Sequence, residues 1–200
     1  MSKVPALAAA LLASALSLPS IAHEVVYTTH LTGPAESPPN ASPGTGDATV
    51  VFDLDMVTMH VEVSFAGLAG PTTASHIHCC TTVPGTGTAT VATTLPTFTD
   101  FPLGVMSGTY DHTFDMTDAS SYNPAFVSAH GGTVATALSA LLAGLDAGEA
   151  YLNIHTTSFP TGEIRGFLAP VPEPETYALM LGGLAVLATL RRRRSADKTT

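Results

Sequence analysis

The chain has 200 residues, two cysteines and no tryptophan, a length suited to one domain with terminal appendages. Its formal net charge of −9 understates the imbalance, because between His23 and Pro170 thirteen Asp and Glu face the single cation Arg165. Such a segment lacks the clustered cations that displace phosphate counterions, so nucleic acid is excluded as a partner, whereas divalent cations and neutral polymers fit it.

Residues 1–22 predict a secretory signal peptide: Lys3, an apolar run from Val4 to Leu18, then Ser20-Ile21-Ala22 as a small-x-small cleavage site. The exported domain is expected over residues 23–170. Residues 25–31 predict a strand, followed by the loop GPAESPPNASPGTG. Val50, Phe52 and Leu54 then alternate with Asp53 and Asp55, and Val57, Met59, Val61, Val63 and Phe65 alternate with His60, Glu62 and Ser64. A period of two with one apolar face predicts two half-buried strands, and a turn near Asp55-Met56 makes them a hairpin.

The stretch SHIHCCTT (75–82) follows, holding both cysteines. Residues 84–104, rich in Gly, Pro and Thr, predict a long loop or weak strands, and 107–116 another strand. Asn123-Pro124 is a capping side chain before proline at the first helical position, and Gly131-Gly132 ends that helix. Thr133 caps a second helix whose Val134, Leu138, Leu141, Leu142 and Leu145 form one apolar stripe, with Gly144 near its end. Segments 150–156 and 162–168 return to strands through a Pro-Thr-Gly turn. The fold class expected is mainly β, an antiparallel β-sandwich or barrel with one or two short inserted helices.

The tail, 171–194, has three parts: Val171-Pro172-Glu173-Pro174, an apolar run from Thr176 to Leu190, and Arg191-Arg192-Arg193-Arg194. The run is shorter than the ~17–25 residues of a comfortable membrane span, and the arginines are a stop that stays cytoplasmic, with residues 195–200 beyond it.

Two resemblances attach to these residues. The block Leu138–Leu168, above all Ala150-Tyr151-Leu152-Asn153-Ile154-His155-Thr156 and Gly162-Glu163-Ile164-Arg165-Gly166, with His76-Ile77-His78 upstream, resembles the CHRD domain over roughly residues 25–168. The resemblance implies an extracellular β-rich module; the adjacent cysteines depart from the broader pattern. The tail is similar to a PEP-CTERM sorting signal, with Pro172, Glu173 and Pro174 as its motif. This implies a precursor held in the inner membrane, processing by an exosortase-type enzyme, and delivery to the cell surface or an exopolysaccharide matrix. The plainer alternative is a single-pass anchor.

The residues themselves raise one chemical question. On a strand, His76, His78 and Cys80 share a face opposite Ile77, and His155 shares a face with Tyr151 and Asn153 opposite Leu152 and Ile154. If the two strands are neighbours, His76, His78 and His155 converge, with Cys80 as a soft fourth ligand, a set suited to copper or zinc. The bland alternative leaves a His-x-His pair solvated on a polar face. For Cys79 and Cys80 the options are a disulfide between neighbours, metal thiolates, or a bond to another chain. Glu163 and Arg165 are expected to act structurally, as an ion pair or network orienting the last strand.

No nucleophile elbow, phosphate loop, HExxH or calcium loop is present, so no catalytic residue is assigned. The leading expectation is a non-enzymatic exported module of the surface or matrix. A copper- or zinc-binding protein is the alternative, and a copper-dependent redox enzyme the third class.

Overall fold

The computed structural model describes residues 23–172, with Leu184 alone beyond them. The expected signal peptide, the rest of the sorting motif and Arg191–Arg194 therefore lie outside the described residues. Among the described residues no helix is long and apolar enough to cross a membrane.

Eight strands form one curled antiparallel sheet, a half-barrel: β1 (Glu24–Thr32), β2 (Thr45–Asp53), β3 (Thr58–Ala66), β4 (Thr72–His78), β5 (Gly108–Asp115), β6 (Tyr151–Thr156), β7 (Ile164–Phe167) and β8 (Ala169–Pro170). Their order is β4-β6-β7-β1-β2-β3-β5, with β8 beside β1. Two helices, α1 (Pro124–Ala129) and α2 (Val134–Asp146), separate β5 from β6.

The alternating stretches pair as expected. β2 and β3 run in continuous register from Thr45↔Ala66 to Asp53↔Thr58. Val50, Phe52, Met59, Val61, Val63 and Phe65 are buried, while Glu62 and Ser64 of the alternate positions are exposed. At the hairpin, Asp53 Oδ1 accepts from the backbone N–H groups of Asp55 (2.9 Å) and Met56 (2.8 Å). This Asx-type bonding closes the turn. Val57, with φ 55°, belongs to that turn and not to β3.

The helices obey their caps. Asn123 accepts from the Ala125 N–H and precedes Pro124, while Thr133 forms a capping box with Thr136. Ala137, Leu141 and Leu145 of α2 are fully buried with the sheet's apolar face, and Val134, Leu138 and Leu142 pack at its margin. Gly144 lies near the end of α2, two residues before its last residue Asp146. Its missing side chain serves packing: a Cβ there would lie 2.3 Å from Cys79 Sγ and 2.6 Å from Cys80 Sγ. The positive-φ glycine after the helix is Gly148, at φ 70°.

The long connection 79–107 is the part that shapes the functional face. It forms isolated bridges rather than a strand, among them His78↔Val91. Ala92 N–H donates to the Ile77 carbonyl at 2.9 Å, Ile77 N–H donates to Thr93 Oγ1 at 3.0 Å, and Phe98 N–H donates to the Ser75 carbonyl at 3.0 Å. The segment is thus tied along the free edge of β4 and satisfies backbone groups that a bare sheet edge would expose.

Candidate metal centre

β4 and β6 are neighbours, and their register sets the site: Ala74↔His155, His76↔Asn153, His78↔Tyr151. Cross-strand partners and diagonal neighbours on one face are within reach of ring side chains. His76, His78 and His155 accordingly come together, with one ligand nitrogen from each ring lying within 4.8 Å of the others. Ring centroids are 5.9 Å apart for His76 and His78, 5.4 Å for His76 and His155, and 6.1 Å for His78 and His155.

Each ring is held by its other nitrogen. His76 Nε2 bonds to the Pro96 carbonyl at 2.7 Å, His78 Nδ1 to the Ala89 carbonyl at 2.9 Å and His155 Nδ1 to the Pro160 carbonyl at 3.0 Å. A carbonyl only accepts, so each of these nitrogens carries the proton of a neutral ring. The remaining nitrogens, His76 Nδ1, His78 Nε2 and His155 Nε2, are lone-pair acceptors. All three are buried without a hydrogen-bond partner. Orienting one ring nitrogen on a carbonyl so that the other is free for a metal is how ligating histidines are commonly fixed.

Burial keeps the rings neutral. It pushes His76 down to about 4, against a weaker upward pull from the Pro96 carbonyl, and it pushes His78 down to about 4 as well. At His78 the neighbouring His76, His155 and Arg165 add to the downward effect. His155 is also lowered by burial. Deprotonated imidazoles are the state a metal requires.

Cys80 does not join them. It is disulfide-bonded to Cys79, with Cα atoms 3.1 Å apart, so neither sulfur is a thiolate. β4 ends at His78, and the strand alternation that placed Cys80 beside the histidines ends with it. Both sulfurs instead lie against α2 at Gly144.

Arg165 and Glu163 belong to separate networks rather than to one pair. Arg165, 4 % exposed, lies 3.8 Å from Glu36, donates to the Ala35 carbonyl, and donates to the Gly87 carbonyl at 2.8 Å. Its guanidinium also sits 4.6 Å from the centre of the Tyr151 ring. Burial raises Glu36 to about 7, with Arg165 pulling the other way. The fully buried Glu163 carboxyl accepts from Ser42 Oγ, Thr156 Oγ1 and the Ala69 N–H, tying the loop after β1 and the loop after β3 to the last strands.

Glu36 was not singled out from the sequence, and Asn153 and Tyr151 were given no role at the site there. Glu36 gave no local signal, since it lies in a Pro-rich loop. Asn153 and Tyr151 did, because strand alternation already placed them on the histidine face. A second group, His60, Glu62 and Asp111, also brings ligand atoms within 4.8 Å. Its two carboxylates are exposed, and the His60 ring is engaged with Thr113 Oγ1 at 2.9 Å. The remaining histidines act locally, as in His130 Nδ1 bonding to the Phe126 carbonyl at 2.9 Å.

Two family models match the chain. The family model described as CHRD domain matches residues 27–168, and that described as PEP-CTERM protein-sorting motif matches residues 170–194. No curated protein and no solved structure matches the chain. The sorting motif implies export through a membrane-anchored precursor and processing by an exosortase-type enzyme. With its exported β module and its sorting tail, the chain belongs to the CHRD domain family.

Proposed function

We propose that this protein is a surface- or matrix-associated module that binds one copper or zinc ion through His76, His78 and His155. One observation carries the reading: three buried, unpartnered ring nitrogens converge while the opposite nitrogens are all tied to backbone carbonyls. Leaving buried acceptors unpaired costs about 1–3 kcal/mol each. A solvated polar face would not show this pattern. A bound ion would satisfy all three at once, and imidazole suits zinc and copper alike.

The expected role is binding at the surface, with the sorting tail delivering the ion-bearing domain to the envelope or a polysaccharide matrix. The acidic character of the exported segment agrees with a cationic cargo. The test uses the full chain, expressed with both ends and purified after export. Elemental analysis should find one copper or zinc per protein, and the His76→Ala, His78→Ala double variant should lose it. A wild-type protein that stays metal-free after exposure to either ion rules the reading out.

A further inference from the structure

Four buried side-chain atoms lack a hydrogen-bond partner among the described residues. Three are the converging histidine nitrogens; the fourth is Asn153 Oδ1. Asn153 is 2 % exposed, pairs directly across the strands with His76, and lies between Tyr151 and His155 on the same face of β6. All the unsatisfied buried side-chain atoms of the described domain therefore belong to one small patch.

The direction of the Asn153 amide is fixed from outside. Its Nδ2 donates to Glu36 Oε1 at 2.7 Å, on the β7 side of β6. Glu36 in turn is held beside Arg165, itself opposite Asn153 in the β6–β7 register. The amide is planar, so with the nitrogen held by Glu36 the oxygen lies on the other branch, without a partner, on a side chain that shares the sheet face of His76, His78 and His155. An acceptor there has nothing to accept from in the protein. Cys80 is committed to its disulfide and lies against α2, so no fourth protein ligand is gathered at this point among the described residues.

Resting on the metal reading above, we infer that the ion keeps a fourth, exchangeable position for a small ligand that carries its own hydrogen, such as water, hydroxide or hydroperoxide, and that Asn153 Oδ1 is the acceptor that selects it. Three protein ligands with an open position are the arrangement of reactive rather than purely structural metal centres. Three neutral imidazoles leave the ion's charge uncompensated, and Arg165 adds a further positive charge behind Tyr151. That field favours an anionic oxygen, and Asn153 adds the requirement that it bear a proton. An aprotic anion such as azide would set its lone pairs against those of Oδ1.

Asn153 is thus a positioning residue for the metal's ligand and not itself a metal ligand. The discriminating experiment loads the protein, expressed with both ends and purified after export, with cobalt(II), whose visible bands report coordination, and titrates azide into it. Wild type should bind azide weakly. Asn153→Leu, which removes the lone pairs, should bind it about tenfold more tightly, as expected for removing one unfavourable contact of hydrogen-bond size. Glu36→Leu leaves the histidines and Asn153 in place but removes the acceptor that holds the amide nitrogen, so the amide is released to rotate and azide should tighten in the same direction. Cobalt stoichiometry should stay at one per chain in all three.

Equal azide affinity across the three proteins would overturn the selecting role of Asn153, and bands that azide never perturbs would overturn the open position, either result leaving the trihistidine centre standing. Failure of the wild type to take up cobalt would overturn both.

Discussion

The His78 ring stacks on the Tyr151 ring at 4.8 Å with only 6° between their planes. Tyr151 is also the ring over which the Arg165 guanidinium sits, 4.6 Å from its centre. β4 and β7 flank β6 on opposite sides, so one aromatic side chain links the candidate ligand to the domain's lone cation. The Tyr151 hydroxyl also accepts from the Ala89 N–H at 3.3 Å, and the Ala89 carbonyl orients His78.

That linkage makes Tyr151 a second support for the His78 ring. Tyr151→Leu keeps apolar bulk but removes the flat stacking surface and the bond to Ala89. Loss of an outer partner of a metal ligand typically lowers affinity ~10–100-fold. Competition with a chromophoric chelator should show a drop of that size for copper or zinc, with stoichiometry retained. Unchanged affinity would mean that the stack is packing alone.

Acid release of the metal should occur later than ordinary imidazoles would allow. From sequence alone, release is expected near the free imidazole value of ~6.5. Burial moves His76 and His78 down to about 4, so protons compete for these nitrogens only well below that value. Dialysis at stepped pH followed by elemental analysis should find the ion retained at about pH 5.5 and lost toward about pH 4. Half-release near 6.5 would identify the rings as solvated.

The same shifts govern the stability of the metal-free protein, with two opposing signs. His76 and His78 have folded values below their ordinary 6.5. Their contribution is complete above ~6.5 and is lost as pH falls from there through about 4, on the order of 3 kcal/mol at the nearly buried His76. His155 acts in the same direction. Glu36 is raised from 4.5 to about 7, so its contribution is complete below 4.5 and is lost as pH rises through about 7. Three rings outweigh one carboxyl in the shared window. Urea midpoints measured with chelator present should therefore fall between pH 6.5 and pH 4. Glu36→Gln removes the opposing effect and should steepen that fall.

Much of this was legible along the chain, for physical reasons that differ by element. β2 and β3 alternate cleanly because one of their faces is buried and the other is wet, and the same period of two along β4 and β6 put His76, His78 and His155 on faces that could meet, although both faces of β6 are covered. Adjacency of β4 and β6 was not legible, since they are about seventy residues apart and pair across the two helices. The alternation also misled at one place. It carried Cys80 onto the histidine face, whereas β4 stops two residues sooner and the disulfide turns toward α2. Gly144 lies near the end of α2, as the sequence reads it, but what requires a glycine there is set by sulfur atoms more than sixty residues upstream. Glu36 was silent because its partners, Asn153 and Arg165, are contributed by strands late in the sequence.

For Glu163 the sequence reading allows an ion pair with Arg165 or a network orienting the last strand, and the partners it has in the structure form a network of their own. Its carboxyl takes hydrogen bonds from Ser42 Oγ, the Ala69 N–H and Thr156 Oγ1, and the residue is fully buried. Glu163→Ala leaves the fully buried Thr156 hydroxyl without its acceptor and takes the partner from the part-buried Ser42 and Ala69 donors. At about 1–3 kcal/mol for each unsatisfied group, the loss should amount to roughly 3 kcal/mol or more. Glu163→Gln keeps one acceptor oxygen for Ser42 and Ala69 and turns an amide toward Thr156, whose hydroxyl can rotate to accept. It should cost about 1 kcal/mol. Urea unfolding should show the midpoint falling in that order with an unchanged slope. Arg165 stays with Glu36 in both variants, so metal stoichiometry should persist in the glutamine form. A glutamine variant as unstable as the alanine one would show that charge at residue 163, and not its acceptor capacity, holds the two loops to the last strands.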